Sequence, residues 1–356
     1  MVPGSIAKQM KAAPGPPAIQ HRVGLRAVAA AAGVSLMTVS LALRNSPLLR
    51  RETTKRVQAV ADRLGYRPDP EISRLMSRLR PSRKTARCEA IALLDLWPQA
   101  APQQLSYHMA VRASIHARAA RLGFAVDMVA LRSYRWEAAR ALRVIRSRGI
   151  TGVLLLPSAE PIDLGKAADW NGLSVVSATT SVISPRFHQV GPSHLHNIRL
   201  VLEEYQKRGY TRIGAILNQS LNLRTQETYA IALAWKGHGE RVLMLPHLEA
   251  DAEGEARVEQ WLRQHDPEVI LGGDAMITLL RRPALARRCA GREIVSLTNH
   301  EGGTIAFLDQ RPASIGECAV SLLTGMMHNH ETGVPAEPQV TMIPGTLQQK
   351  RSYPLP

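Results

Sequence analysis

His194 and His196, and again His328 and His330, stand two residues apart, and closely spaced imidazoles invite a metal reading. No cysteine or acidic cluster lies at ligand spacing beside them, so no metal site is expected. The three cysteines, Cys88, Cys289 and Cys318, are scattered, odd in number and form no C-x-x-C pair. They argue against a zinc site and a disulfide framework and fit a reducing, cytoplasmic compartment. The stretch "GPSHLHN" lacks the second glycine of a nucleophile elbow. There is no Walker loop, and "GHGERV" from Gly237 has two of the three glycines of a dinucleotide fingerprint but precedes a strand rather than a helix. These residues point away from an enzyme, and no cofactor is expected.

Charge points elsewhere. Residues 1–87 carry 17 Lys/Arg against 4 Asp/Glu, whereas residues 88–356 carry 28 against 25. A compact basic block on a nearly neutral body suits an anionic polymer, nucleic acid first among them. No run of 18 apolar residues occurs, so no membrane span is predicted. The N-terminus has no apolar h-region and carries Pro14, Pro16 and Pro17; residues 1–22 are expected to be a disordered tail, not a secretory signal.

The elements that would hold a nucleic acid lie in "LRAVAAAAGVSLMTVSLALRNS". Leu25, Val28, Ala29 and Ala32 follow helical spacing, and Gly33 ends that helix because glycine takes the left-handed cap conformation. Ser35 is a good N-cap for a second helix, which turns Val39, Ala42 and Leu43 inward and Leu36, Met37, Ser40, Leu41 and Arg44 outward. So short a join makes a helix-turn-helix whose second helix can enter a major groove. A third helix follows on Val57, Val60, Ala61 and Leu64 and stops at Gly65. "DPEISRLMSRLR" starts a further helix with Asp69 as cap, too short to be stable alone.

The segment Val23–Arg80 resembles the headpiece and hinge of the lactose-repressor (LacI) family of bacterial transcription regulators, on "VAAAAGVSLMTVSLAL", "RVQAVADRLGYRP" and the hinge that follows. The resemblance implies a helix-turn-helix domain over 23–68 and a hinge helix with linker over 69–85. It also implies a homodimer on a pseudo-palindromic double-stranded DNA operator, with Leu36, Met37, Thr38, Ser40, Leu41 and Arg44 at the DNA. Arg74, Leu75 and Arg78 of the hinge would meet the minor groove, where Leu75 would wedge between base pairs. The chain departs from the family in places. Leu36 and Met37 replace polar groove-facing residues, Leu41 stands where Arg is common, Ala27 replaces an acidic residue, and Arg50 replaces the Ser/Thr cap of the third helix. Apolar side chains can still touch thymine methyls, and DNA shape would carry more of the specificity.

From Cys88 onward apolar runs of strand length ("AIALLDL", "FAVDMVAL", "GVLLLP", "LSVVSAT", "RIGAIL", "RVLMLP", "EVILGG", "EIVSLTN") alternate with helical patterns, which predicts parallel sheets with helices on both faces. This body is similar to the two-lobed, type I periplasmic-binding-protein core of the same family. The fold class is thus a small all-α headpiece plus an α/β core at 86–350, with a first lobe over about 88–190 and 306–330 and a second over about 191–305 and 331–350. In such folds the ligand lies at the carboxyl ends of the strands. The resemblance puts Arg224 where a guanidinium grips effector oxygens and Asp274 at an acidic cleft position. It places Asn299 where the family tends to have an Asp. Trp97, Tyr107 and Trp136, near strand ends of the first lobe, could stack on a sugar face. The implied function is a DNA-binding repressor tuned by a small, carbohydrate-like effector. The alternatives are a regulator with a degenerate cleft or a solute-binding protein. "KRSYPLP" closes the sequence without heptads, so a dimer is expected rather than a tetramer.

Overall fold

The computed structural model describes residues 24–43, 49–66, 89–98, 105–165, 168–234, 242–298 and 305–349. The expected tail, the hinge, Arg44, Arg74, Leu75, Arg78 and Asn299 lie outside the described residues. The chain divides into two compact units, 1–81 and 82–356.

In the first unit, α1 (Leu25–Ala32) ends at Gly33, whose φ of 63° requires the left-handed conformation. The N–H of Val34 then donates to Ala29 O at 3.1 Å, closing the last turn. Ser35 caps α2 (Leu36–Ala42), its hydroxyl accepting from the Thr38 N–H at 3.1 Å. The two helices cross at 98°, the angle of a helix-turn-helix. Arg50 opens α3 (Arg51–Arg63) with no side-chain cap bond. Val28, Ala29, Val39, Ala42, Val57 and Ala61 form the core, and the Gln58 amide donates to Ala42 O at 3.1 Å, tying α3 to the end of α2.

The second unit holds two six-stranded sheets. The first lobe is built from β1 (Ala90–Asp95), α4 (Leu105–Arg121), β2 (Ala125–Ala130), α5 (Ala138–Ser147), β3 (Gly152–Leu155), β5 (Ser174–Ser177) and β7 (His188–Pro192), with a small pair β4 (Ile162–Asp163) and β6 (Val182–Ser184) beside it. The second lobe takes α6 (His194–Lys207), β8 (Ile213–Asn218), α7 (Gln219–Arg224), α8 (Thr228–Ala234), β9 (Leu243–Leu248), α9 (Ala252–His265), β10 (Val269–Gly272), α10 (Asp274–Leu280), α11 (Pro283–Cys289), β11 (Glu293–Ser296) and β12 (Ala306–Asp309). The chain returns to the first lobe through α12 (Pro312–Asn329) and β13 (Val340–Ile343), and ends in the second with β14 (Thr346–Gln348). Strand side chains alternate between faces. Ile91 and Leu93 pack with Val111 and Ile115 of α4 and Ala319 and Leu323 of α12, while Ala92 and Leu94 pack with Ala141 and Ile145 of α5. With helices on both faces, the strands read as continuous apolar runs.

Three details correct the sequence reading. β12 pairs with β11 and belongs to the second sheet, not to the first lobe as a boundary at 306 implies. β13 pairs with β7 in the first sheet, not in the second. β14 runs antiparallel to β12 in an otherwise parallel sheet. An apolar run of four residues is equally at home in either sheet; its partner is decided by where α12 and the last crossover deliver it. The three crossovers lie together. Ser193 N donates to Ile343 O at 2.8 Å, and Gly345 N donates to the buried Oδ1 of Asn197 at 2.7 Å.

Candidate functional site

In the first unit, α2 presents Met37, 62% exposed, and Leu36, 45% exposed. Thr38, Ser40 and Leu41 are half-buried, and the Thr38 hydroxyl lies 2.9 Å from Ser35 Oγ within the cap. The free face of this helix is therefore chiefly a methyl and thioether surface, suited to thymine methyls rather than to base hydrogen bonds.

In the second unit a cavity lies at the carboxyl ends of strands from both sheets, where open α/β folds bind ligands. Trp97, Tyr107, Arg224 and Asp274 all line it. Trp136 does not: it sits on a surface turn with φ of 63° and is 43% exposed. The four residues after β2 coil into a 3-10 turn, Leu131–Tyr134, and the backbone then reverses through Arg135 and Trp136 in the left-handed region; this directs the indole away from the cleft.

The first-lobe wall is organised by Asp95, the last residue of β1 and 5% exposed. One carboxylate oxygen accepts from Trp97 N at 3.1 Å and the other from Arg132 Nη1 at 2.7 Å. His108 Nε2 stands 3.2 Å from the carboxylate without the alignment of a hydrogen bond. Burial works to raise this carboxyl, but His108, Arg132 and the Trp97 N–H outweigh it and hold it at about 2, against an ordinary 3.8. The network fixes the turn that brings Trp97 over His108, ring centres 5.4 Å apart. Asp95→Asn should cost about 1–2 kcal/mol, since a tenfold change in proton affinity corresponds to about 1.4 kcal/mol. The melting temperature should fall by roughly 2–8 °C. Because the native carboxyl is depressed, its contribution is complete above 3.8 and is lost as pH falls through about 2. The melting gap between the two proteins should stay constant from neutrality to about pH 4 and close below it; a gap that widens in acid would contradict the assignment.

The facing wall is more polar. Arg224 ends α7 and is followed by Gln226 and Glu227 at φ of 53° and 58°, two strained non-glycine residues in succession. Its guanidinium has no hydrogen-bond or ion-pair partner among the described residues. Burial pulls it toward the neutral form, while Tyr229, Asp274 and Tyr107 favour the charge. Asp274 accepts from Ser296 Oγ at 3.2 Å, and its own N–H donates to Thr298 Oγ1 at 3.2 Å. His194, 7% exposed, stacks edge-on against Tyr229 at 4.8 Å, with both ring nitrogens unbonded. Burial, then the Arg224 charge, lowers it to about 4, so it is neutral at physiological pH. The lobes touch over the cavity: Thr180 Oγ1 donates to Arg224 O (3.2 Å), Gln226 Nε2 to Thr180 O (3.1 Å) and Ser220 Oγ to Ala159 O (3.1 Å).

Residues 24–69 match the family model for bacterial regulatory proteins of the lacI family. Residues 24–69 are thus a domain of the lacI-family type. A comparison with curated proteins finds no match. Among solved structures, the chain is similar to a lac repressor dimer bound to operator and the anti-inducer ONPF, at 16% identity, with 92% of this chain and 98% of that chain covered and a TM-score of 0.53. It is similar to the trehalose repressor from Escherichia coli at 17% identity, covering 74% and 100%, TM-score 0.55. The solute-binding protein of an ABC transporter from Burkholderia graminis C4D1M, in complex with D-arabinose, matches at 19% identity, covering 76% and 99%, TM-score 0.54. At these identities the likeness is one of fold.

The lacI-family resemblance pointed to Arg224 and Asp274 at the cleft. It did not point to His108, Thr180, His194, Asn218 or Gln310, which also line the cavity. Asn218 closes β8 and Gln310 follows β12, so strand ends were the signal available for those two. His194 follows β7, a strand that no apolar run announces, and of the pair His194/His196 only the first is buried.

Proposed function

We propose that this lacI-family protein is a transcriptional repressor that binds a pseudo-palindromic operator as a homodimer, with its DNA affinity set by a small, sugar-like effector in the cleft. One observation carries the reading: the same chain holds a helix-turn-helix with an exposed second helix and, in a separate unit, a strand-end cavity with an Arg224 that has no bonded partner among the described residues. A solute-binding protein shares the core but has no use for the headpiece. No catalytic step is assigned to the cavity. Arg224 and Asp274 are proposed as effector contacts, with Trp97 and Tyr107 as aromatic walls. Arg74, Leu75 and Arg78 are proposed, on the family resemblance, to add hinge contacts in the minor groove.

The test is selection of binding sites from a random duplex library, followed by titration of the selected operator with and without a sugar collection. Enrichment of no sequence would overturn the regulator reading; enrichment with affinity indifferent to every ligand would leave a repressor with an idle cleft. Met37→Ala should weaken the selected operator by about 1–2 kcal/mol, the value of burying much of a methionine. That is roughly 5- to 30-fold. Random DNA should lose little, and the melting temperature should not move because Met37 is 62% exposed. Fluorescence anisotropy on both duplexes checks this; equal losses on both would place Met37 away from the bases.

A further inference from the structure

The cavity holds more unmet donor capacity than a neutral guest would use. Arg224 brings a full charge and five N–H donors on a planar fork, with no bonded partner among the described residues. A hydroxyl can accept from that fork but gives it no ion pair, and Asp274 acts on it only through the field and not by a direct contact. Beside it, His194 is nine-tenths buried with both ring nitrogens unbonded. It is the first residue of α6, a helix of 14 residues whose N-cap Ser193 makes no side-chain hydrogen bond. The positive end of that helix dipole therefore lies at the cavity. Tyr107 approaches from the opposite lobe within electrostatic reach of Arg224.

We propose that the effector is a small polyhydroxylated anion whose carboxylate or phosphate oxygens dock among Arg224, His194 and Tyr107 at the first turn of α6. This rests on the effector-cleft reading above and names the class of that effector. Asp274, which already accepts from Ser296 Oγ, takes hydroxyl protons from the other part of the guest. An Arg fork fits a planar carboxylate or a phosphate in two parallel bonds, and neutral His194 adds one N–H to the same group. Burial keeps His194 neutral, and a charged ligand on Arg224 offsets only the smaller contribution of the Arg224 charge.

The experiment uses the full chain and matched ligand pairs. Aldonates, uronates and aldose phosphates are each compared with their neutral parent sugar by thermal shift and calorimetry, and inorganic phosphate serves as a fragment competitor. At least one acid should bind tenfold or more tightly than its parent, and phosphate should compete with it. The carboxylate and phosphate arms report which oxyanion is taken. Arg224→Lys should keep the preference for the acid, Arg224→Gln should remove it, and His194→Gln should reduce it. Circular dichroism of each variant separates lost binding from lost folding. Neutral parents binding as tightly as their acids would overturn the anionic class and leave the effector-cleft reading standing. If no member of either class binds or alters operator affinity, both fall.

Discussion

Arg224→Ala is expected to raise the effector's dissociation constant by roughly 30- to 4,000-fold and to abolish the effector's influence on operator binding. The range follows from the about 2–5 kcal/mol lost when one partner of a desolvated, charge-assisted contact is truncated; each 1.4 kcal/mol is tenfold. The guanidinium has no hydrogen bond within the described residues to replace, so nothing there compensates for its removal. The strained pair Gln226 and Glu227 follows it closely, and the Gln226 amide reaches across the cleft to Thr180 O. The end of α7 is thereby held in a defined position for a guest. The measurement is calorimetric titration of effector into variant and parent, with the ratio of operator affinities, with and without effector, as the functional readout. A variant that keeps both affinity and ratio within threefold would remove Arg224 from the site.

Gly345→Ala should be strongly destabilising. A Cβ at this position would stand 2.6 Å from Asp309 O and 2.9 Å from Asn197 Oδ1. Neither neighbour can yield cheaply. The first is backbone of the second crossover, and the second accepts the Gly345 N–H at 2.7 Å from a fully buried side chain. Overpacking of this kind costs about 1–3 kcal/mol, and loss of the Asn197 bond adds about 1. A drop of about 2–4 kcal/mol should lower the melting temperature by roughly 4–16 °C. Because all three crossovers meet here, the strain falls on the segments that join the lobes, and effector affinity should drop with it. A melting temperature within 1 °C of the parent would show that the junction is looser than its contacts imply.

The headpiece was almost wholly legible because its signals are local. Gly33, Ser35 and the stripe Val28, Ala29, Val39, Val57 and Ala61 act within a few residues of themselves, and the φ of 63° at Gly33 and the Ser35–Thr38 cap are what those residue types demand. The alternation of apolar strands and helices in the core was legible for the same reason. Short or polar elements were not: β4, β6 and β7 carry too few apolar residues in sequence to stand out.

What the chain determined unaided was therefore a basic helix-turn-helix followed by an α/β body, since capping, periodicity and charge are properties of neighbouring residues. Tertiary structure decided the rest. It assigned β12 and β13 to opposite sheets from those expected, because a four-residue apolar strand takes whichever edge the preceding helix delivers it to. It turned Trp136 outward through two left-handed residues that no periodicity announces. It also brought His108, His194, Arg224 and Asp274, from four separate strand-to-helix junctions, around one cavity. Burial and the fields of distant residues exist only once the chain is closed, so the donors of that cavity that have no partner among the described residues could not be read in advance.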